Sequence, residues 1–143
     1  MITLCPLCDG TVTVFADGRM ASHRTSTGER CALSQRVAPP WDERNTREAV
    51  PGRSGGRCEW CKKRRATEMH HRKNRSQGGE WNPANILHLC NECHRRCTLN
   101  RSWGRALGLV VRQYENPETV VVVCEDLTTF QPTSMVTRKR GRR

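Results

Sequence analysis

The chain has 143 residues, 35% of them hydrophobic and 27% charged, and its 25 Lys and Arg against 14 Asp and Glu leave a formal charge of +11. Only 24 residues are Leu, Ile, Val or Phe, a composition that with this charge would by itself stay unfolded, so the nine cysteines must supply what apolar burial does not. The longest apolar run, residues 120–124, excludes a single-pass membrane protein, and residues 1–7 lack a basic start and are broken at Cys5 and Pro6, so no signal peptide is expected. A reducing cytoplasm is the expected location, where Cys-x2-Cys pairs bind metal more often than they form disulfides.

Residues 1–33 read as a first unit, with Cys5 and Cys8 at one end, an alternating stretch over 11–15, a turn at Asp17 and Gly18, then His23 and Cys31. Residues 34–56 read as a linker, because Pro39, Pro40, Pro51 and the glycines of 52–56 interrupt any period. A second unit spans 57–108: a knuckle at Cys58 and Cys61, a strand entering 69–71, and a polar loop through Gly78 and Gly79. A short strand at 86–89 follows, then a knuckle at Cys90 and Cys93 that opens one helix running to about Leu107 and stopping at Gly108. Residues 109–136 are expected to form a β-hairpin extension in which 109–114 pairs with 119–124, and residues 137–143 a disordered basic tail. The expected class is small α+β. Charge is uneven along the chain, +8 over residues 57–105 and +5 beyond Asp126. A single charge run is ordinarily a solvated face, but two runs beside metal knuckles point to a polyanionic partner.

Cys58-x2-Cys61 and Cys90-x2-Cys93 are 28 residues apart and offer four thiolates to one tetrahedral ion. Zinc is the natural occupant, with an iron–sulfur cluster or plain reduced cysteines as alternatives. Cys5 and Cys8, then His23 after fourteen residues and Cys31 after seven, offer three thiolates and an imidazole for a second zinc. For His23 the alternative is an exposed loop residue, and for Cys31 a small buried hydrophobe. Cys97 and Cys124 are left for core or surface positions.

Between and within the knuckles lie paired His70 and His71, then Gly78 and Gly79, then Asn85 before the apolar strand, then His94 directly after Cys93. This order and spacing, over roughly residues 57–108, resembles the HNH endonuclease family in the form whose ββα-metal fold is pinned by four cysteines. The first unit resembles a small zinc module found ahead of such domains in actinobacteriophage proteins. The resemblance implies a divalent catalytic cation (Mg2+, Mn2+, Ni2+ or Zn2+) held by His70 and His94. It makes His71 the general base and Asn85 the amide that braces the loop and helps orient that base. Adjacent residues of a strand face opposite ways, which would let His70 and His71 take these different roles, and a neutral imidazole suits proton abstraction. The bland alternative for both is a polar strand residue, and for His88, at a position the family does not reserve, that alternative is preferred. Many relatives carry a further histidine one helical turn after the helix ligand, where this chain has Thr98.

The implied function is metal-dependent hydrolysis of phosphodiester bonds in double-stranded DNA, by nicking or cutting, with Arg72, Lys73, Arg75, Arg95 and Arg96 as candidate phosphate contacts. In tailed phages such proteins are associated with terminase and genome packaging, which would set the chain in the host cytoplasm. The competing class is a non-catalytic, zinc-dependent DNA-binding protein whose nuclease site has degenerated, with Thr98 as the motive. A homing or restriction enzyme would differ in needing a defined recognition site.

Overall fold

The computed structural model describes residues 1–5, 7–35 and 41–133. They belong to two units, one over Met1–Trp41 and one over Asp42–Ser134. The expected basic tail and the end of the extension lie outside the described residues. Among these residues no helix is long and apolar enough to cross a membrane.

In the first unit β1 (Ile2–Leu4) pairs antiparallel with β2 (Thr11–Thr13), and the chain between them carries Cys5 and Cys8. A hairpin bridge between Arg24 and Arg30 then brings Cys31 back beside His23, whose carbonyl accepts from the Cys31 amide at 3.0 Å. The interior of this unit is Cys5, Val12, Met20 and Cys31, too little apolar surface to hold such a module by burial alone.

The second unit begins with α1 (Glu43–Ser54), where a linker was expected. The helix has a reason to start and a reason to stop. Asp42 caps the Asn45 amide at 2.8 Å while the Asn45 side chain returns the bond to the Asp42 amide at 2.7 Å, a reciprocal capping box. Gly55 closes the other end in the left-handed conformation, with φ 65°. Pro51 is accommodated within the helix, and Thr46, Ala49 and Val50 are buried. Arg53 then fixes the helix in place: its guanidinium forms a bidentate pair with buried Glu59 at 2.6 and 2.9 Å and donates to the Pro83 and Ile86 carbonyls at 2.7 Å each.

After the first knuckle, β3 (Glu68–His71) pairs antiparallel with β4 (Ile86–Leu89). The connecting loop contains a 3-10 turn at Arg75–Gln77. Gly79 is required there, since a Cβ would lie 1.8 Å from the Lys73 carbonyl oxygen. The second knuckle opens α2 (Asn91–Leu99), whose N-cap is Cys90. The single helix expected to Leu107 is broken at Asn100, whose side chain accepts from the Trp103 amide at 3.1 Å and starts α3 (Arg101–Ala106). Asparagine competes in this way for backbone partners and favours caps over helix interiors.

The C-terminal hairpin differs from the expected one. Residues 109–114 form no strand; β5 (Val122–Val123) pairs instead with β6 (Thr129–Phe130). The carbonyls of Gly108, Leu109, Pro117 and Val120 are occupied by the side chains of Arg72 and His70, so this segment cannot offer a regular ladder. One apolar cluster runs through the unit and includes Trp60, Leu87, Leu89, Leu109, Val122 and all four knuckle cysteines.

Candidate functional site

Two groups of side chains are gathered as metal sites would be. In the first unit the ligand atoms of Cys5, Cys8, His23 and Cys31 all lie within 4.8 Å of one another. His23 Nδ1 is 2.8 Å from the Ala21 carbonyl, and because a carbonyl only accepts, the proton is on Nδ1. That leaves His23 Nε2 with a bare lone pair, buried and without a partner, which is the state a zinc ligand needs. In the second unit Cys58, Cys61, Cys90 and Cys93 are likewise within 4.8 Å of one another, all buried and none in a disulfide. Burial pushes the Cys58 and Cys93 thiols up, so a buried thiolate cluster here calls for a cation. Both groups could bind zinc. Cys97 and Cys124 are buried outside these groups; Cys124 Sγ donates to the Glu59 carbonyl at 3.3 Å.

A third arrangement lies between β3 and α2. Here His70, His71, Arg75, His94, Thr98 and Arg101 line one cleft of about 460 Å³. The His70 and His94 rings meet edge to face with centroids 5.3 Å apart. His70 Nε2 donates to the Leu109 carbonyl at 2.7 Å, which leaves Nδ1 unprotonated and fixes the ring as metal-binding histidines are commonly fixed. Burial, with smaller contributions from the charges of His94, His71 and Arg101, brings the His70 pKa down to about 4. The ring is therefore neutral at pH 7, as ligation requires.

His71, on the other face of the strand, is half-buried and stands edge-on to Trp81 at 4.6 Å. Burial first, and the positive charge of Arg75 second, hold its pKa below the usual histidine value. Asn85 is buried and does not line this cleft. Its side-chain oxygen accepts from the Lys73 amide at 2.8 Å and its amide donates to the Lys73 and Glu80 carbonyls at 3.1 Å each, so it braces the loop that follows β3. Thr98 is on the cleft wall one helical turn after His94, its hydroxyl bonded back to the His94 carbonyl at 3.1 Å.

The arginines expected at phosphate divide sharply. Arg75 is exposed at the cleft, and Arg95 is exposed on α2. Arg96 lies over Trp103 at 4.1 Å. Lys73 lines a separate hollow of about 270 Å³ together with Asn85. Arg72 corrects the expectation outright. It is fully buried and donates to the carbonyls of Gly108, Ala84, Pro117 and Val120, so it braces the fold and cannot meet a phosphate.

Several neighbours of the site were not anticipated. Trp81 packs on His71, and Arg47 of α1 lies over Trp81 at 4.8 Å while pairing with Glu43 at 3.0 Å. Arg101 enters the cleft from α3. The sequence signals were the Asp42 and Asn45 capping pattern, a tryptophan four residues before Asn85, and an arginine seven residues beyond His94.

Residues 58–98 match the HNH endonuclease family model. No curated protein and no solved structure gives a match. The HNH domain so defined contains both knuckles, the three histidines of the cleft, Asn85 and Thr98, and it supports a nuclease acting on DNA. The first unit, α1 and α3 lie outside it.

Proposed function

We propose that the chain is a metal-dependent HNH endonuclease that hydrolyses phosphodiester bonds of double-stranded DNA, with a ββα-metal site built from β3, β4 and α2. The observation that carries this reading is the convergence of His70, His71 and His94 on one cleft inside the segment that matches the family. His70, through its bare Nδ1, and His94 would hold a divalent cation, one of Mg2+, Mn2+, Ni2+ or Zn2+. When bound, such an ion supplies electrostatic stabilisation of the charge that grows on the phosphate and the leaving oxygen. His71, neutral at pH 7, takes the proton of the attacking water as the new P–O bond forms, while the P–O bond to the leaving sugar oxygen breaks and that oxygen takes a proton from solvent. Asn85 keeps the loop after β3 in place, and Arg75 with Arg95 attracts the DNA backbone.

The test is cleavage of supercoiled plasmid in the presence of each of these metal ions. His71→Ala should lower cleavage by about a hundred- to ten-thousand-fold while leaving DNA affinity nearly unchanged. Should the wild-type chain bind duplex DNA yet cut with none of the ions, the second reading gains: a zinc-dependent DNA-binding protein with a degenerate site. Thr98 favours that reading, since its hydroxyl is turned back to the helix. From the actinobacteriophage resemblance we also assign the setting: the cytoplasm of an infected host, with phage terminase as partner in genome packaging. Co-purification of the chain with terminase tests that assignment.

A further inference from the structure

Three features of the histidine cleft bear on what occupies it. Its lining holds two arginines and three histidines but no carboxylate. Neither Arg75 nor Arg101 forms an ion pair among the described residues, so the charge of the cleft lining is uncompensated within the fold. The two guanidiniums also come from different elements, Arg75 from the loop after β3 and Arg101 from the first position of α3. Unpaired positive charges placed together in a half-enclosed cleft repel one another, and an anion relieves the repulsion. Arg101 is itself only partly exposed, in contrast to the freely solvated Arg105 on the same helix.

We propose that Arg101 contacts the phosphate group on which the cleft acts, gripping it from α3 while Arg75 grips it from the loop after β3. This inference rests on the nuclease reading for the identity of the substrate. A guanidinium can donate two parallel N–H bonds to the two non-bridging oxygens of a phosphodiester, a geometry an ammonium does not reproduce. Those oxygens gain negative charge as water attacks phosphorus, so the contact strengthens on the way to the transition state. Arg101 therefore affects turnover as well as binding, unlike a basic residue on the outer surface.

The experiment measures turnover at saturating duplex DNA, and the dependence of affinity on salt, for the full chain and four variants. Arg101→Ala and Arg101→Gln should each lower turnover about a hundredfold and flatten the slope of log affinity against log salt by about 0.9, the value for one phosphate contact. Arg101→Lys should restore the slope and only part of the turnover. Arg105→Ala, on the same helix but outside the cleft, should leave turnover unchanged. The Gln variant keeps most of the stem and decides the matter should the Ala variant not fold, with bound zinc and helical signal as the check. Wild-type turnover and slope in a folded Arg101→Gln protein would overturn the proposal, as would equal losses in the Arg101 and Arg105 variants. If the wild-type chain cuts no DNA, the nuclease reading fails separately, and the salt slope still decides whether Arg101 meets a phosphate.

Discussion

Arg72 offers the sharpest separation between a charge that binds DNA and a charge that builds the fold. Its guanidinium donates to four carbonyls, those of Gly108, Ala84, Pro117 and Val120, at separations along the chain of 12 to 48 residues. Arg72→Met keeps an unbranched stem but strands the buried Gly108 and Ala84 carbonyls, while those of Pro117 and Val120 still accept from the Gln131 amide. An unsatisfied buried acceptor costs about 1–3 kcal/mol, so the two stranded carbonyls give a loss of about 4 kcal/mol in total. That is a large share of the roughly 5–15 kcal/mol that stabilises a small domain. Arg72→Lys keeps the charge, but a single ammonium cannot reach acceptors spread around the planar fork, so about half of that loss is expected. Urea unfolding of the zinc-loaded protein should show midpoints falling in the order wild type, Lys, Met. The salt slope of DNA binding by the Lys variant should match wild type. An unchanged unfolding midpoint together with a slope reduced by about 0.9 would refute the reasoning and return Arg72 to the DNA surface.

Protein purified without added metal should contain two zinc ions per chain by elemental analysis, and chelation should abolish the folded signal of both units, since neither has an apolar core able to stand alone. His70 should make folding acid-sensitive. Its pKa is about 4 when folded against an ordinary 6.5, so unfolded chains take up the proton first as pH falls. Stability present above about pH 6.5 is lost towards pH 4, by about 3 kcal/mol at most, and urea midpoints of wild type and His70→Asn compared at pH 7 and 5 should converge on acidification. Removing residues 138–143 takes away five basic groups, and it should flatten the salt slope by about two to four units while cleavage at saturating DNA persists. An unchanged slope would make that segment a solubility tail or a protein contact.

The knuckles, β3, β4 and the three cleft histidines were legible because each depends on short spacings: two residues between cysteines, alternation in the strands, a histidine after the last cysteine. What sequence reading missed depends on partners far away. Arg72 reads as one of several basic residues after His71, and nothing local tells a guanidinium that will be solvated from one that will meet carbonyls 36 and 45 positions further on. The valines at 120–123 do carry strand propensity. Val122 and Val123 nonetheless pair with Thr129–Phe130, because His70 and Arg72 take the Leu109 and Val120 carbonyls, one from each of the two runs expected to pair. In 34–56 the prolines outweighed the Asp42 and Asn45 capping box, although Pro51 sits in the helix and Arg53 anchors it to Glu59.

These misses share a consequence for the site. The Leu109 carbonyl sets which nitrogen of His70 is free, Arg47 of α1 lies over the Trp81 ring that abuts His71, and Arg101 of α3 supplies a wall of the cleft. All three lie outside residues 58–98. The HNH segment thus brings the chemical groups together, but their protonation, orientation and charge environment are completed by the helix before it and the extension after it. Variation in those flanks can therefore tune the site without altering one residue of the family pattern.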